Sequence, residues 1–349
     1  MQVTLHGLST ALAPHDLPQQ LVQERAEAIL GPRYPQFARL LSTFVQSGIE
    51  RRRSVAPLEW FDGDPHGWEE RNRIWLAGVT AMFQEAARSA LEDCGWEAAD
   101  VDTIVTVTST GVATPTLEAL VWNEMGFRGD VTRVPVFGLG CAGGASGLSI
   151  AAQLAMGRPG SRVLLVVAEA CTPSFRTDRL QKADIIATVL FGDGAAAVCL
   201  STEGEGAVSC TPGVQHIWPD TLGIMGWDVD DHGLGVVFDR SIPDFATRRM
   251  GEAAAAALSS MGRRMDDFDR VLCHPGGAKV VTAIETALHL PQGSLDLERE
   301  VLREHGNMSA PTVLFVLDAA RREGRTGRML MTALGPGFTA SFVPLELAA

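Results

Sequence analysis

The chain alternates alanine-rich segments of helical periodicity with short runs of valine, isoleucine and leucine, and this alternation constrains its fold more than any other feature. Short apolar runs between helical segments are typical of strands that are buried on both faces. Helices that alternate with such strands pack on the faces of a sheet, which is the arrangement of the α/β class. We therefore predict an α/β protein whose sheets are largely buried.

One helix–strand unit occurs twice in the chain. Residues 74–111 form an amphipathic helical pattern, an acidic turn and an apolar strand that ends in a glycine-containing turn, and residues 250–277 repeat this order. The repeat predicts a duplicated architecture, with an N-terminal half over residues 1–205 and a C-terminal half over residues 206–349. Since no Pro/Ser-rich linker lies between the halves, we expect them to pack as one body.

Charge and cysteine content narrow the possible functions. The chain has 29 basic and 42 acidic residues, hence a net charge of −13, whereas nucleic-acid binding requires clustered lysine and arginine. We expect no membrane span and no signal peptide, because no apolar stretch is long enough and the first residues lack the leader pattern. Six scattered cysteines without a CxxC pair argue against disulfides or structural zinc and favour the cytoplasm.

Cys141 occupies a turn from a strand to a helix, in the segment VPVFGLGCAGGASGLSIAAQLAM. Glycines on both sides of the cysteine allow a sharp bend and close packing. A thiol at a helix N-terminus lies at the positive end of the helix dipole, so we expect its pKa to be lowered. Although most cysteines are buried structural residues, this setting favours a nucleophile, and four of the other cysteines lack it.

His274 and Asn307 lie at the ends of other apolar elements. His274 ends the strand pattern DRVLC and precedes Pro-Gly-Gly, and polar residues at strand exits commonly form the sites of α/β sheets. Asn307 lies in EHGNMSAPTVLFVLD, a turn that opens an apolar helix. Each residue has a structural alternative, namely a hydrogen-bonded core histidine and a helix N-cap, which asparagine favours. The local sequence leaves both alternatives open.

The three side chains together indicate acyl transfer with decarboxylation. A thiolate can take an acyl group from a thioester. Imidazole and amide N–H groups can donate to a thioester oxygen and stabilise the enolate that forms when a malonyl group loses CO₂. A histidinium beside the cysteine would also favour the thiolate.

The motifs around these residues resemble those of the type III polyketide synthases, the chalcone-synthase superfamily. GLGCAGG, LFGDGAAAV, CHPGG, GNMSAPTVLFVLD and ALGPGFT stand in the family's order, and the resemblance runs from about residue 36 to the C-terminus. Related fatty-acid ketosynthases follow their histidine with Gln-Ala-Asn, whereas this chain has Pro-Gly-Gly. The resemblance implies a thiolase-like, five-layered αβαβα fold of two duplicated halves and a homodimer. It also implies acyl-CoA and malonyl-CoA as substrates, with no metal and no organic cofactor.

The resemblance also implies residue roles. Cys141 matches the nucleophile that holds the starter and the growing chain, and His274 and Asn307 match the pair that assists decarboxylation and binds the oxyanion. Phe191 matches a gatekeeper between the CoA tunnel and the cavity, with a plain core aromatic as its alternative. Two further matches lie near the cavity: Ser309 corresponds to a wall residue, and Gly335, Pro336 and Gly337 correspond to the loop that supports the cyclisation pocket.

Departures from the plant enzymes bear on the substrate. Val236 stands at the second gatekeeper position, where plant enzymes have an aromatic residue, and Thr114 replaces a methionine that a partner subunit contributes. Thr110 and Cys171 match small residues that line a long acyl tunnel in bacterial alkylpyrone-forming relatives, and Trp227 stands where plant enzymes have glycine. Smaller, apolar walls favour an aliphatic starter. The cluster of basic residues that binds CoA phosphates in the family is reduced in this chain. The candidates for this role are Arg39 and, in the basic run 51–53, Arg51.

We therefore predict an iterative enzyme that condenses malonyl-CoA onto an acyl-CoA and cyclises the product to a pyrone or a resorcinol. Three alternatives remain: a single-round ketosynthase acting on an acyl-carrier protein, a cysteine hydrolase with a Cys–His–Asn order, and a catalytically silent thiolase-fold partner. The CHPGG turn weighs against the single-round ketosynthase, and the absence of a CGSCW-like motif weighs against the cysteine hydrolase. The intact triad weighs against the catalytically silent partner. The sequence leaves the starter length, the number of extensions and the mode of cyclisation undetermined.

Overall fold

The computed structural model describes residues 2–34, 36–179 and 181–348. Its strands, in chain order, are β1 (Val3–Leu12), β2 (His15–Pro18), β3 (Arg51–Ser54), β4 (Thr103–Thr108), β5 (Thr132–Phe137), β6 (Val163–Ala170), β7 (Asp193–Ser201), β8 (Val208–Cys210), β9 (Val214–Ile217), β10 (Met225–Asp230), β11 (Gly233–Phe238), β12 (Arg270–Cys273), β13 (Gly327–Gly335) and β14 (Thr339–Leu347).

The helices are α1 (Gln19–Leu30), α2 (Leu41–Gln46), α3 (Trp68–Cys94), α4 (Leu117–Leu120), α5 (Trp122–Met125), α6 (Gly143–Gly157), α7 (Lys182–Leu190), α8 (Ile242–Ser260), α9 (Ala278–Ala287), α10 (Asp296–His305) and α11 (Thr312–Arg322). Short 3-10 turns add Phe37–Arg39, Leu58–Phe61, Ala98–Asp100, Gly140–Ala142, Thr172–Ser174 and Met265–Asp267.

Ten of the strands in the described ranges form one mixed sheet in the order β12-β13-β14-β8-β1-β7-β6-β4-β5, with β9 also paired to β14. In the N-terminal half, β4 and β6 are parallel while β7 is antiparallel to both β6 and β1. In the C-terminal half, β12 and β13 are parallel while β14 is antiparallel to both β13 and β8. The two halves thus share one strand arrangement, which confirms the predicted duplicated α/β fold. The exact boundary between residues 205 and 206 stays a prediction.

The helices form three layers around the two parts of the sheet. The middle layer is α6 and α11, which contact each other and strands of both halves, while α3 covers the N-terminal strands and α8 and α9 cover the C-terminal strands. Alanines and aliphatic side chains of the middle helices fill the core between the halves. The order is therefore helix, sheet, helix, sheet, helix, as the five-layered prediction requires.

The two middle helices approach closely at their N-terminal ends because glycine stands at the contact. A Cβ atom on Gly144 would lie 2.2 Å from the carbonyl oxygen of Ala310, and one on Gly143 would lie 2.8 Å from Cγ1 of Val107. A larger residue in place of Gly144 would require a shift of backbone, and one in place of Gly143 would require the side chain of Val107 to move. The segments that precede α6 and α11 are consequently brought side by side.

Both predicted helix–strand units are present, with longer helices than their patterns indicated. The helix predicted from residue 74 begins at Trp68, and the helix predicted from residue 250 begins at Ile242. Elements outside the main sheet, namely the paired strands β2 and β3, the β10–β11 hairpin and helices α1, α2 and α7, pack over the exits of the central strands. Within the described ranges, none of the helices combines the length and apolar character that crossing a membrane requires.

Candidate active site

Cys141 lies in the predicted turn between a strand and a helix. Strand β5 ends at Phe137, and Gly138 and Gly140 then adopt positive φ angles of 89° and 46°. Their backbone N–H groups donate to the Ser109 hydroxyl over 3.1 and 3.2 Å, which holds the turn against the exit of β4. Cys141 follows in the 3-10 turn that leads into α6 and is buried.

His274 follows β12 and is only 3% exposed. Its backbone N–H donates to the carbonyl of Thr332 over 2.9 Å and so continues the β12–β13 pairing. Neither ring nitrogen has a hydrogen-bond partner among the described residues. Buried polar atoms are normally hydrogen-bonded, so a buried ring without a partner among these residues favours a group that binds substrate over a satisfied core histidine.

Asn307 is fully buried and its side chain is fixed at both ends. Its Nδ2 donates to the carbonyl of Gly276 over 3.2 Å, and its Oδ1 accepts the backbone N–H of Ser309 over 2.8 Å. Helix α11 begins later, at Thr312, with Pro311 at the capping position. The helix N-cap alternative for Asn307 is therefore wrong.

The three segments meet at one cavity. The sulfur of Cys141 lies 4.0 Å from Oδ1 of Asn307 and 3.7 Å from the hydroxyl of Ser309. Ser309 itself has a φ of 61°, an uncommon conformation for a residue with a Cβ atom, as found where a site constrains the chain. The cavity measures about 330 Å³ and is lined by Cys141, Met225, Phe238, Ile242, His274, Gly276, Val280, Asn307 and Leu334.

Burial controls the protonation of the Cys141 and His274 pair. Desolvation raises the pKa of Cys141 to about 11, although the hydrogen bonds between this thiol and Ser309 and Asn307 act in the opposite direction. Desolvation also lowers the pKa of His274 to about 3. The expected low pKa of Cys141 and the expected histidinium are therefore not found in the resting site, because loss of water outweighs the helix dipole. At neutral pH the pair is a thiol and a neutral imidazole.

A second, larger and apolar cavity lies next to the first one. It measures about 560 Å³ and is lined by Leu17, Val22, Arg25, Ala26, Ile29, Arg52, Leu58, Phe61, Cys171, Thr172, Ser174, Phe175, Ala187, Thr188 and Phe191. Phe191 connects it to the first cavity, because the neighbouring Leu190 and Gly192 exchange backbone hydrogen bonds with Asn307 over 2.8 and 3.0 Å. Cys171 and Phe191 thus form the wall of the larger cavity on the side of Phe238, which lines the first cavity and whose ring centroid lies 6.4 Å from that of Phe191.

The β10–β11 hairpin covers this wall. Val236 is buried against Cys171 and Phe191, and Trp227 lies opposite it in the hairpin. The indole Nε1 of Trp227 donates to the backbone carbonyl of Ser109 over 2.8 Å, which fixes the hairpin to the turn that carries Cys141. Val236 and Trp227 thus both pack at the wall of the larger cavity.

Other sequence-derived candidates lie in different settings. The hydroxyl of Thr110 donates to the buried Glu169 over 2.7 Å and accepts the indole N–H of Trp75, and Thr110 lines neither of the two cavities. Thr114 is exposed on the surface. The turn of Gly335, Pro336 and Gly337 joins β13 to β14 beside the nucleophile.

Close packing ties that turn to the Cys141 segment. A Cβ atom on Gly335 would lie 2.5 Å from the carbonyl oxygen of Leu139, and one on Gly140 would lie 2.6 Å from the ring of Pro336. The two CoA candidates, Arg39 and Arg51, are both exposed and line neither cavity.

Sequence reasoning missed three buried charged residues. Glu169 accepts hydrogen bonds from Thr108, Ser109 and Thr110, and burial raises its pKa to about 7. A single acid within the apolar run VLLVVAEA was the available signal for Glu169. Arg52 and Glu298 carried no such signal, because each lies in a segment rich in other charged residues.

Comparisons with known proteins agree on one family. The chain matches the family descriptions "Chalcone and stilbene synthases, N-terminal domain" over residues 64–204 and "Chalcone and stilbene synthases, C-terminal domain" over residues 210–345. A 1,3,6,8-tetrahydroxynaphthalene synthase of Streptomyces peucetius subsp. caesius is 38% identical, over 97% of this chain and 92% of the relative. A 3,5-dihydroxyphenylacetyl-CoA synthase of Streptomyces toyocaensis is 32% identical, over 85% of this chain and 80% of the relative.

A solved structure agrees with the sequence comparisons. The 1,3,6,8-tetrahydroxynaphthalene synthase of Streptomyces coelicolor, described as a bacterial type III polyketide synthase, superposes with a TM-score of 0.93 at 26% identity, over 99% of both chains.

Glu298 generates a prediction about stability and pH. Its Oε1 accepts the backbone N–H of Cys273, next to His274, and burial raises its pKa to about 7 from an ordinary value of 4.5. Between these values the folded state keeps a proton that the unfolded state releases, so stability falls as pH rises through this window. Glu298→Gln should raise the free energy of unfolding at pH 8 by on the order of 2 kcal/mol, and by much less at pH 5.

Urea denaturation at the two pH values measures this difference. The control is Glu252→Gln, which changes an 80% exposed carboxyl on α8 and should have the same small effect at both pH values. A loss of stability in Glu298→Gln that is equal at pH 5 and pH 8 would contradict the prediction.

Proposed function

The chain belongs to the chalcone and stilbene synthase family and is a type III polyketide synthase, and we propose that Cys141, His274 and Asn307 carry out its condensation reaction. Members of this family condense malonyl-CoA. The observation that carries the residue assignment is the buried ring of His274, whose two nitrogens lack partners among the described residues at a cavity that Cys141 also lines. A polar group of this kind has a clear use when a thioester enters the cavity.

Loading of the starter begins from the neutral pair. The sulfur of Cys141 attacks the carbonyl carbon of the acyl-CoA while His274 accepts the thiol proton. The new bond joins the acyl carbon to the cysteine sulfur, and the bond to the CoA sulfur breaks. His274 then returns its proton to the CoA thiolate, which leaves as the free thiol. Because the resting thiol has a raised pKa, this proton transfer is part of the loading step.

Extension uses the same histidine together with Asn307. The malonyl thioester loses CO₂, and the electrons of the broken C–C bond form an enolate whose oxygen accepts hydrogen bonds from His274 and from the Nδ2 of Asn307. The enolate carbon attacks the acyl group on Cys141, so that a new C–C bond forms and the sulfur leaves as thiolate. Two or three such rounds followed by cyclisation give a pyrone or a resorcinol.

The two half-reactions should separate in variants. Cys141→Ala should form no acyl-enzyme and no product, yet should still decarboxylate malonyl-CoA, because His274 and Asn307 remain. Asn307→Ala should still form the acyl-enzyme while decarboxylation falls by about a hundredfold, as expected on loss of one oxyanion donor. Intact-protein mass spectrometry measures acylation, and release of labelled CO₂ measures decarboxylation.

The wild-type protein is first assayed with a panel of acyl-CoAs, with the same acyl groups on a carrier protein, and with a peptide substrate. Turnover of the carrier-protein substrates alone would support a single-round ketosynthase instead, and peptide cleavage would support a cysteine hydrolase. An unreactive Cys141 together with no product from any of these substrates would favour a catalytically silent protein.

We further propose an aliphatic starter whose chain occupies the cavity of about 560 Å³. Its lining is almost wholly apolar, and Cys171 and Phe191 stand in its wall on the side of Phe238, which also lines the cavity of Cys141. An alkyl chain gains free energy for each methylene that it buries. Phe191 stays proposed as a gatekeeper, while Val236 and Trp227 are proposed to shape the wall above it.

Filling this cavity should shorten the preferred starter. Ala26 lines the cavity from α1, whereas Ala28 of the same helix is exposed. Ala26→Leu should lower kcat/KM for dodecanoyl-CoA by about tenfold and leave butanoyl-CoA nearly unchanged, because the added carbons take space that only a long chain needs. Ala28→Leu is the matched control. Equal effects of Ala26→Leu on both starters would contradict an acyl chain in this cavity.

A second product class is favoured by the 38% identical relative, which is a 1,3,6,8-tetrahydroxynaphthalene synthase. The ring carbons of such a product can all come from malonyl units, so no acyl-CoA starter would be required. Incubation with malonyl-CoA alone distinguishes the two proposals: a naphthalene product supports this class, whereas a pyrone or resorcinol formed only when an acyl-CoA is added supports the aliphatic starter.

We propose that the protein acts in the cytoplasm, where its six free cysteines would stay reduced, and that Arg39 and Arg51 contact CoA phosphates. Both arginines are exposed, and both belong to the segment from α1 to β3 that covers the apolar cavity. Arg51 now forms an ion pair with Asp16 at 2.7 Å, so binding of a phosphate would exchange one anion for another.

We also propose a homodimer that forms along β5. This strand ends the sheet in the described ranges, and its Phe137 is 59% exposed. Val112 and Leu120 are exposed on the neighbouring segment, which also carries Thr114 and contacts Arg133 of β5. An open sheet edge beside exposed apolar side chains is a common site of association between chains.

Phe137→Glu should therefore weaken the dimer, because a carboxylate would have to be buried at the interface. Sedimentation should show the wild type at twice the chain mass of 37.3 kDa and the variant shifted toward a single chain. Val229→Glu, at an equally exposed apolar position of the β10–β11 hairpin, should remain dimeric. A monomeric wild type would contradict the proposal.

A further inference from the structure

Arg52 is a buried cation with an unusual set of partners. Only 2% of its surface is exposed, and among the described residues it forms no ion pair with a carboxylate. The acid whose charge acts on it is Asp193, which instead accepts the backbone N–H groups of Val55 and Thr172 over 2.8 Å each. A charge is costly to bury unless its donors are used, so the hydrogen bonds that Arg52 does make are informative.

Those hydrogen bonds are directed at the C-terminal end of α7. Nη1 of Arg52 donates to the carbonyls of Thr188 over 2.6 Å and of Phe191 over 3.0 Å, and Nη2 donates to the side chain of Gln19. Gln19 in turn donates to the carbonyl of Val189 over 3.1 Å. A cation at a helix C-terminus also interacts favourably with the helix dipole. Arg52 and Gln19 together therefore satisfy the carbonyls of Thr188 and Val189 in the last turn of α7 and that of Phe191, which follows the helix.

The remaining carbonyl of this turn belongs to the active site. The backbone N–H of Asn307 donates to the carbonyl of Leu190 over 2.8 Å. The backbone N–H of Gly192 donates to the carbonyl of Asn307 over 3.0 Å. The stem of Arg52 fills the space beside these bonds, since a Cβ atom on Gly192 or Gly306 would lie 3.2 or 3.4 Å from its Cβ. The backbone of Asn307 is thus held by the same turn that Arg52 holds.

We propose that Arg52 is a positioning residue that, through the C-terminal turn of α7, aims the side chain of Asn307 at the enolate oxygen formed on decarboxylation. This inference rests on the role proposed above for Asn307. It separates two steps of the reaction. Acylation depends on Cys141 and His274, whose segments lie outside the α7 turn, whereas decarboxylation also requires Asn307.

The test compares Arg52→Met and Arg52→Lys with Arg73→Met, which removes a guanidinium that is 78% exposed on α3. In Arg52→Met, decarboxylation of malonyl-CoA should fall by about ten- to a hundredfold, as expected for a small displacement of a reacting group. Acylation of Cys141 by butanoyl-CoA, whose short chain does not need the apolar cavity that Arg52 also lines, should stay within about twofold of the wild type. Arg52→Lys, which keeps the charge but loses the paired donors, should recover part of the decarboxylation rate. Arg73→Met should match the wild type in both steps.

Circular dichroism and thermal melting establish which variants are folded. Wild-type decarboxylation in a folded Arg52→Met protein would overturn the inference, and so would an equal loss in both steps, because that result indicates a purely structural role. If Arg52→Met does not fold, Arg52→Lys decides on the same split between the two steps. A wild type that fails to decarboxylate malonyl-CoA would instead contradict the proposed function.

Discussion

The close approach of the N-terminal ends of α6 and α11 is the constraint on which the site depends. Gly144 allows it, because any side chain at that position would overlap the backbone carbonyl of Ala310. Cys141 lies just before α6, and Asn307 and Ser309 lie just before α11. Packing of the two helices therefore brings a sulfur from one half to within 4.0 Å of an amide oxygen from the other. Cys141 and Asn307 are 166 positions apart in the chain. They become neighbours because Gly144 and Ala310 bring the two helices together.

The same packing buries Cys141 and His274, and this shapes the reaction that we propose for the site. Burial raises the pKa of Cys141 and lowers that of His274, so the resting pair carries no charge. In the proposed reaction each charged species would form only when a thioester is bound. The side chain of Asn307, one of the proposed donors, is held in place beforehand by Gly276, Ser309 and the end of α7, so little reorganisation of this donor would be required when charge develops. The helix dipole alone, from which a low pKa was expected, is too weak to offset desolvation here.

The sequence predicted those features that depend on local pattern. Alternating apolar runs indicated the α/β class, and the glycines around Cys141 indicated its turn. Each of these two signals is contained in a short stretch of consecutive residues. The alternatives for His274 and Asn307 were not decided locally, because hydrogen-bond satisfaction depends on residues far away in the chain. Arg52 shows the same limit most clearly. It stands between two more exposed arginines in one short run, and only the packing of β3 beneath α7 distinguishes the buried member.

The duplicated fold also explains how two similar halves provide different chemistry. In each half, the segment before the middle helix carries a residue of the candidate site, namely Cys141 before α6 and Asn307 before α11. In each half, the exit of a parallel strand faces that segment, with Ser109 after β4 and His274 after β12. The halves differ at the outer edge of that strand. In the N-terminal half β5 pairs with β4 and leads into Cys141, whereas in the C-terminal half Glu298 of α10 accepts the N–H of Cys273. Helix α10 then leads directly into Asn307. Strand β5, which covers the edge of β4, thus leads to Cys141, and helix α10, which covers the edge of β12, leads to Asn307. The two halves can therefore differ in chemistry while they keep the same strand order.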